Sequence, residues 1–266
     1  MKPPIALTIA GSDPSGGAGI QADLKTFHQF GVYGEAAITL ITVQNTCGVS
    51  RVETLPPDLI LQQIQAVLDD IPPQAAKTGA LGNAAAVRAI ADLAEAFQFP
   101  LVVDPVMISK HGARLLDDDA CEALIHELIP RATLLTPNIP EAELLTGLKI
   151  TTINDMKAAA ERLVKLGAKS LVIKGGHAQG PAIDVLFHEG QWHEFPAERI
   201  DTRHTHGTGC TFSAAITAEL ARSKSMTQAL ASAKKYVLNA LKTAPKLGRG
   251  TGPIDHWAAS HVAEPD

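Results

Sequence analysis

The sequence predicts an α/β domain in which helices cover both faces of a mostly parallel central sheet. Short apolar runs alternate with segments of helical periodicity along most of the 266 residues, and neither a linker nor an internal repeat interrupts them. Glycine-rich or polar loops follow several of the apolar runs. In such sheets ligands bind at the carboxyl ends of the strands, so these loops are candidate sites. We expect a single domain over residues 1–266.

The amino-terminal half opens with a buried strand. Residues 5–10 are apolar and stop at a glycine loop over residues 11–19, after which a helix begins. Residues 57–71 carry apolar side chains at helical spacing, and Asn83 is a typical N-cap. The strands predicted in this half are 5–10, 36–43, 51–55 (short and edge-like), 75–78 and 101–103, and the helices are 20–30, 57–71 and 83–97.

The pattern changes in the carboxyl-terminal half. Pro140 suits the first turn of a helix, and Gly167 ends another. Alternating runs on both sides of a Glu-Gly turn at 189–190 predict a hairpin, and hence an antiparallel C-terminal edge of the sheet. The other strands predicted here are 134–135 and 170–174, and the helices are 117–129, one from Pro140, 153–166, one from Cys210, and 226–241.

Composition excludes several classes of protein. The chain is 45% hydrophobic and 19% charged, which is typical of a globular domain. A net charge of −5 and an aromatic content of 4% argue against a nucleic-acid partner. No segment reaches the length of a membrane span, and the first apolar run is too short for a signal peptide. Three widely spaced cysteines indicate reduced thiols, so we expect a cytoplasmic protein without membrane contact.

The stretch from His204 to Leu220 contains the strongest functional signal. Gly207-Thr208-Gly209 forms a tight glycine turn before small, apolar, helix-friendly residues, and the N-terminus of such a helix attracts anions through free amides and its dipole. The same position favours a thiolate at Cys210, which predicts a proton acceptor near neutral pH. The alternative is a helix C-cap before an ordinary buried helix, with Cys210 as a core residue.

Polar residues at other strand ends add weaker signals. Asn138 and Glu141, three residues apart at a helix start, suit oxygen ligation of Mg²⁺, or else form a simple N-terminal cap. Lys174 places a cation at a strand end, and Gln44 places an amide there that suits a polar heterocycle or a turn. Asp23 follows the first glycine loop by about one helical turn, facing either the strand ends or solvent.

Two loops complete this set. The first glycine loop matches neither the phosphate-binding G-x-x-x-x-G-K-[ST] pattern nor the dinucleotide G-x-G-x-x-G pattern, which disfavours a nicotinamide enzyme. Residues 106–116 show little periodicity, and a loop of this length in an α/β domain is typical of a lid.

These motifs resemble those of the ribokinase-like small-molecule kinases, and more closely the bacterial hydroxymethylpyrimidine/phosphomethylpyrimidine kinases of thiamine biosynthesis. The resemblance extends over nearly the whole chain and implies a three-layer α/β/α fold, with ATP and Mg²⁺ as cofactors. The stretches that carry it are residues 6–25 (ALTIAGSDPSGGAGIQADLK), 44–46 (QNT), 104–107 (DPVM), 174–177 (KGGH) and 205–210 (THGTGC), with Asn138-x-x-Glu141.

The resemblance also implies roles for individual residues. The amides of Gly207, Thr208, Gly209 and Cys210 would form an anion hole for the transferring phosphoryl group, with Cys210 taking or orienting the proton of the attacking hydroxyl. Further residues would line the pyrimidine site (Gly11, Asp23, Gln44, Ala80 and Val106, with Lys77 near it), contact ATP phosphates (Lys174 and Thr208), or hold the Mg²⁺ water shell (Asn138 and Glu141, with Asp104).

Two departures from the wider pattern leave alternatives open. Most ribokinase-like kinases have an aspartate where Cys210 stands, and relatives often have methionine at position 80, where Ala80 leaves a roomier wall. The expected activity is phosphorylation of 4-amino-5-hydroxymethyl-2-methylpyrimidine and then of its monophosphate. A pyridoxal or pyridoxine kinase of vitamin B6 salvage is the alternative enzyme, and a non-catalytic ligand sensor is the alternative of another class. The resemblance further implies a homodimer.

Overall fold

A computed structural model describes residues 2–107, 116–177 and 182–258. One nine-stranded sheet runs through these residues in the order β3-β2-β1-β4-β5-β6-β7-β8-β9. The strands are β1 (Ile5–Ser12), β2 (Tyr33–Asn45), β3 (Gly48–Thr54), β4 (Ala75–Thr78), β5 (Leu101–Val103), β6 (Leu134–Leu135), β7 (Leu171–Ile173), β8 (Ala182–His188) and β9 (Gln191–Ala197).

Eight α-helices accompany these strands within the described residues. They are α1 (Gly19–Gln29), α2 (Pro57–Asp70), α3 (Ala84–Ala94), α4 (Asp118–Ala123), α5 (Ile139–Thr146), α6 (Ile153–Lys165), α7 (Thr208–Ala221) and α8 (Met226–Lys242). The segment predicted as a helix over 117–129 is helical, but its helix type changes along the chain. After α4 it continues as a π-helical turn (Leu124–Leu128) and a 3₁₀ turn (Ile129–Arg131) that contains Pro130, which has no amide hydrogen to donate.

The helices form two layers with the sheet between them. One hydrophobic core packs α2 to α6 against one face, and a second packs α1, α7 and α8 against the other. Alanine, serine and threonine dominate α7, so that it packs closely against β4, α1 and α8, and most of its residues are buried. The structure thus confirms the predicted fold class of helices on both sides of a central sheet.

The sheet is parallel from β2 through β1 and β4 to β7, and β8 and β9 add the predicted antiparallel edge. The opposite edge is antiparallel as well, which the sequence analysis did not anticipate. Only Thr46 and Cys47 separate β2 from β3, and parallel pairing needs a crossover of about a dozen residues. The strand predicted over 36–43 is also longer. Ile41, which pairs with the last residue of β1, and Val43, which lies beyond it, are 48% and 55% exposed.

Two further predictions concern organisation. Residues 108–115 of the predicted lid over 106–116 lie outside the described residues, so the lid stays a prediction. The single domain over 1–266 also stays a prediction. Among the described residues, no helix has both the length and the apolar character needed to cross a membrane.

Glu35, near the start of β2, provides a test of how the fold buries a carboxyl group. Its side chain is buried, and none of the described residues hydrogen-bonds to its Oε2 atom. Burial raises its pKa to about 7, so the folded state holds a proton that the unfolded state releases, and stability falls as pH rises from about 4.5 to 7. We expect Glu35→Gln to raise the free energy of unfolding at pH 8 by on the order of 1 kcal/mol and to change it little at pH 4.5. Urea unfolding at the two pH values measures this, and equal effects at both would contradict a buried charge.

Candidate active site

A cavity of about 490 Å³ lies at the carboxyl ends of the parallel strands. The glycine loop after β1, the end of β2, the loops after β4, β5, β6 and β7, and the start of α7 all contribute to its wall. Most of the predicted site residues line it, namely Gly11, Gln44, Lys77, Ala80, Asp104, Val106, Asn138, Glu141, Lys174, Gly207, Thr208, Gly209 and Cys210. The structure therefore brings together residues that are up to 199 positions apart in sequence, Gly11 and Cys210.

The glycine turn before α7 has the geometry of an anion site. Gly207 has φ +81° and is the N-cap of α7, and its cap position involves no side-chain hydrogen bond among the described residues. The Thr208 amide donates to the Thr205 carbonyl at 3.3 Å, whereas the amides of Gly209 and Cys210 have no backbone partner among the described residues and point to a ligand position. A Cβ at Gly207 would lie 1.7 Å from the carbonyl oxygen of Gly17, so the turn packs directly on the first glycine loop. Two glycine loops that are distant in sequence thus form one wall of the cavity.

Cys210 lies in the first turn of α7, but its thiol is not activated. Burial raises its pKa to about 12, and the neighbouring carboxylates of Asp23 and Asp104 add to this effect. The ammonium group of Lys77 and a hydrogen bond from the Gly19 amide act in the opposite direction without outweighing burial. The structure therefore does not favour the predicted thiolate near neutral pH, because desolvation outweighs the Lys77 ammonium group and the Gly19 amide.

Lys77 and Asp23 form a fully buried ion pair beneath the cavity. Lys77 Nζ lies 2.8 Å from both carboxylate oxygens of Asp23, and the Thr8 hydroxyl donates to Asp23 Oδ2 at 2.6 Å. Burial disfavours the charge of Lys77, but Asp23 and other nearby groups, which include Asp104, together outweigh burial and raise the pKa of Lys77. Lys77 reaches the cavity, whereas Asp23 is absent from its lining. The expectation that Asp23 lines the pyrimidine site is thus corrected, since its oxygens are already bonded to Lys77 and Thr8.

A second ion pair joins the ends of β5 and β7. Lys174 Nζ lies 3.1 Å from Asp104 Oδ1, which also accepts a hydrogen bond from the Thr136 hydroxyl. Ser213 on α7 donates to Asp104 Oδ2 at 3.3 Å. Despite burial, Lys174 and Lys77 hold the pKa of Asp104 below its usual range. Asp104 is therefore an ionised anchor for Lys174, which faces the cavity near Gly209.

Asn138 and Glu141 form the helix cap that was the alternative to a metal site. Asn138 Oδ1 accepts from the Glu141 amide at 2.9 Å, and the Asn138 amide donates to Glu141 Oε2 at 2.8 Å. Both residues nevertheless line the cavity, and Glu141 Oε2 lies 4.0 Å from Lys174 Nζ. Burial, together with the charge of Asp104, raises the pKa of Glu141 to about 7 although Lys174 lowers it. Glu141 therefore takes part in the helix cap and also places its carboxylate at the cavity wall.

The charges around the cavity floor do not balance. Asp23, Asp104 and Glu141 contribute three carboxylates, whereas Lys77 and Lys174 contribute two ammonium groups. Burial is the main cause of the raised pKa of Glu141, and the charge of Asp104 adds to it. A hard divalent cation with oxygen ligands fits this set, because it would neutralise the excess and keep most of its water shell. The described residues form no group of three or more histidine, cysteine or acidic side chains around one point.

Sequence reasoning missed two charged pairs in the cavity wall. Asp13 and His206 pair across the two glycine loops at 2.7 Å, and Lys234 on α8 pairs with Asp184 on β8 at 2.7 Å. Asp184 also accepts a hydrogen bond from the Gly175 amide, which fixes the turn after Lys174. Asp13 and His206 stand inside motifs that were quoted, and their adjacency to glycines was the available signal. Lys234 and Asp184 lie in ordinary helix and strand patterns, which contain no signal of a functional residue.

Comparisons with known proteins agree with this site. Residues 13–255 match the family model described as phosphomethylpyrimidine kinase. The hydroxymethylpyrimidine/phosphomethylpyrimidine kinase of Bacillus subtilis (strain 168) is 48% identical over 256 residues, which are 95% of this chain and 94% of that protein. The crystal structure of phosphomethylpyrimidine kinase from Clostridium difficile 630 is 46% identical with a TM-score of 0.80, over 90% of this chain and 99% of that one.

A second solved structure similar to this chain is that of a pyridoxal kinase. The pyridoxal kinase of Staphylococcus aureus in complex with AMP-PCP and pyridoxal is 40% identical with a TM-score of 0.88, over 97% of this chain and 95% of that one. Structures of both kinds of kinase therefore share the fold of this chain, and the expected ribokinase-like architecture is confirmed. From the family model and the curated relative together, this chain belongs to the phosphomethylpyrimidine kinase family.

Proposed function

We propose that this chain transfers the γ-phosphoryl group of ATP to 4-amino-5-hydroxymethyl-2-methylpyrimidine and then to its monophosphate, giving the diphosphate for thiamine biosynthesis. The observation that carries the proposal is a cavity that combines the glycine turn at Gly207, the ammonium groups of Lys77 and Lys174 and the amide of Gln44. Family membership supports the same reaction.

The phosphate end of the cavity supplies positive potential. Phosphoryl transfer passes through a loose transition state with charge on the equatorial oxygens, and catalysis is mainly positioning and electrostatic stabilisation. The amides from Gly207 to Cys210 would bind the transferring group as an anion hole. Lys174, anchored by Asp104, and the start of α7 at Thr208 would contact the nucleotide phosphates.

Glu141 and Asn138 are the residues that would hold Mg²⁺, through its water shell, with Asp104 close by. When bound, the ion would neutralise charge on the phosphate oxygens. Glu141 keeps its carboxylate at the cavity surface while its amide is capped by Asn138, so the helix start fixes the orientation of both side chains.

Cys210 would orient the attacking hydroxyl rather than remove its proton beforehand. With its pKa raised to about 12, the thiol is neutral at physiological pH and bonds to the substrate hydroxyl as a weak donor or acceptor. A loose transition state needs little deprotonation before the phosphoryl group leaves, which suits such a neutral group.

We expect Cys210→Ala to lower kcat by about 10- to 100-fold while leaving thermal unfolding nearly unchanged, because it removes an orienting contact and only a small buried volume. Steady-state kinetics with ATP and the pyrimidine measure the effect, and Cys210→Ser, which keeps a hydrogen-bonding atom at the same position, is the matched control. Cys210→Ala with wild-type kcat would remove Cys210 from the reaction. An ionisation of Cys210 in the rate profile between pH 6 and 9 would contradict the neutral thiol.

The reaction itself is tested by product analysis with purified protein, ATP and Mg²⁺. Hydroxymethylpyrimidine, its monophosphate and pyridoxal are offered separately, and products are identified by mass. Conversion of the monophosphate to the diphosphate supports the proposal. ATP left intact with all three substrates would contradict it and favour a non-catalytic ligand sensor.

Pyridoxal phosphorylation is the second candidate activity. The small side chain of Ala80 at the cavity wall leaves room for a larger ring, and the Staphylococcus aureus pyridoxal kinase shares the fold at 40% identity. Phosphorylation of pyridoxal alone would move the chain from thiamine biosynthesis to vitamin B6 salvage.

We further propose a homodimer in the cytoplasm. The exposed apolar side chains of Ile41 and Val43, on the hairpin of β2 and β3 at the edge of the sheet, support a subunit contact. The three free cysteines support a reducing compartment. Sedimentation analysis of the wild type and of Ile41→Glu tests the dimer, which the variant is expected to weaken.

A further inference from the structure

Lys174 lies just beyond the end of β7, where the sheet no longer holds the chain. The antiparallel ladder of β7 with β8 ends at the pair of Ile173 and Val185. On the amino side of Lys174, its amide donates to the Pro137 carbonyl at 2.9 Å. Because a lysine ammonium group stands on a flexible four-carbon stem, its position depends on how the backbone on both sides is fixed.

A side-chain carboxylate fixes the backbone on the carboxyl side of Lys174. The Gly175 amide donates to Asp184 Oδ1 at 2.8 Å, and both residues are buried. A Cβ at Gly175 would lie 1.9 Å from the Ile183 carbonyl oxygen, so the turn packs directly on the backbone of β8. Removal of the carboxylate would leave a buried amide unpaired, so the turn depends on Asp184.

Lys234 on α8 holds Asp184 from the other side. Its Nζ atom lies 2.7 Å from Asp184 Oδ2 and donates to the Ala182 carbonyl oxygen at 2.8 Å. The two carboxylate oxygens thus have separate partners, Lys234 for one and the Gly175 amide for the other. Asp184 therefore connects α8 to the turn after Lys174.

The ammonium group of Lys174 lies at the start of α7. Its Nζ atom is 3.1 Å from Asp104 Oδ1, and a Cβ at Gly209 would lie 3.4 Å from it. Lys174 and the glycine turn therefore face the same part of the cavity. A misplacement of about 1 Å is enough to remove much of the effect of such a contact on a ligand.

We propose that Asp184, held by Lys234, is a positioning residue for Lys174. Through the Gly175 amide it fixes the turn after Lys174 and keeps the ammonium group beside the glycine turn, where the nucleotide phosphates would bind. The inference rests on the proposed function, because it takes Lys174 as a contact to those phosphates. A lysine that is already in place before the nucleotide arrives loses less side-chain freedom on binding, which favours affinity.

The experiment compares two double variants that differ only in the acceptor at position 184. Asp184→Asn/Lys234→Met keeps an oxygen for the Gly175 amide, and Asp184→Leu/Lys234→Met has a side chain of similar size that cannot accept. Both variants remove both charges of the pair, so neither leaves a buried charge unpaired. If Asp184→Leu/Lys234→Met does not fold, Asp184→Val/Lys234→Met replaces it, since valine is smaller and suits a strand.

Calorimetry in the presence of Mg²⁺ gives the dissociation constant of AMP-PCP for each protein. Lys174→Met is expected to raise it by about 10- to 100-fold, the range for loss of a hydrogen bond from a charged group. Asp184→Leu/Lys234→Met should bind AMP-PCP about tenfold more weakly than Asp184→Asn/Lys234→Met, since a displaced ammonium group loses part of that contact. When Lys174→Met is added to both double variants, this difference should disappear, because Asp184 acts through Lys174.

Binding of 4-amino-5-hydroxymethyl-2-methylpyrimidine, measured in the same way, is expected to be equal in the two double variants. A parallel loss of pyrimidine affinity would mean a merely structural role and overturn the inference. Equal AMP-PCP affinity in the two double variants also overturns it, as does a difference that persists with Lys174→Met, which would place Asp184 itself against the nucleotide. These results leave the proposed function standing. A wild type that does not bind AMP-PCP overturns the proposed function and this inference with it.

Discussion

Replacement of Gly207 by alanine is expected to lower kcat/KM by about 10²- to 10³-fold, the range for loss of a preorganised oxyanion donor. Gly207 has φ +81°, and an added Cβ would lie 1.7 Å from the Gly17 carbonyl oxygen and 2.8 Å from its carbonyl carbon. Both obstacles are backbone atoms, so neither can be relieved by rotating a side chain. The glycine turn must move away from the first glycine loop, which displaces the amides at the start of α7 from the position of the transferring phosphoryl group.

A second glycine with a positive φ separates the effect of backbone strain from the effect of displaced amides. Gly31 also has a positive φ of +68°, but a Cβ there would have open space within 4 Å. Gly31→Ala carries the conformational cost of a left-handed alanine, about 1 kcal/mol, far from the cavity. We expect both variants to lose stability in urea unfolding and only Gly207→Ala to lose activity. A Gly207→Ala enzyme within about threefold of wild-type kcat/KM would show that the turn does not position the phosphoryl group.

The turn at Gly207 illustrates what the sequence can predict. Glycines that interrupt an otherwise helix-forming stretch signal a backbone conformation and a close approach, and both are found there. The order of strands and helices follows in the same way from local periodicity. The antiparallel pairing of β3 with β2 could also have been predicted from local sequence, because the two-residue turn between them leaves no room for a crossover. The sequence analysis considered a hairpin only at the C-terminal edge of the sheet.

Properties that depend on long-range packing were not predictable. Whether Asp23 faces the cavity or lies beneath it depends on Lys77, 54 residues away, which reaches under the wall to pair with it. The pKa of Cys210 was assigned the wrong direction because a helix N-terminus is visible in the sequence, whereas desolvation and the carboxylates of Asp23 and Asp104 are not. The pair of Asp13 and His206 is separated by 193 positions, so no spacing rule could join it.

The second large effect is expected at the ion pair of Lys77 and Asp23, where Lys77→Met should lower the free energy of unfolding by about 3–5 kcal/mol. Both side chains are 0% exposed, so removal of the ammonium group leaves the Asp23 carboxylate buried, with only the Thr8 hydroxyl as its hydrogen-bond partner among the described residues. Burial already raises the pKa of Asp23 in the wild type although Lys77 and Thr8 lower it, and loss of the ammonium group raises that pKa further. The folded state would retain a proton that the unfolded state releases above about pH 4, and the loss of stability should therefore shrink as pH falls toward 4.

The double variant Asp23→Leu/Lys77→Met distinguishes a lost attraction from an unpaired charge. A buried ion pair is often replaced by apolar residues at little cost, whereas breaking one partner leaves an uncompensated charge. We expect the double variant to recover most of the stability lost in Lys77→Met but little of the activity, because Lys77 also faces the cavity. Arg51→Met is the matched control, since Arg51 and Glu53 pair at 2.8 Å with side chains 71% and 62% exposed, and it should cost less than about 1 kcal/mol. Chemical unfolding from pH 4 to 8 measures all three variants. A Lys77→Met loss that is independent of pH, or a double variant as unstable as the single one, would mean that Lys77 stabilises the fold through packing alone and that the cavity floor does not depend on its charge.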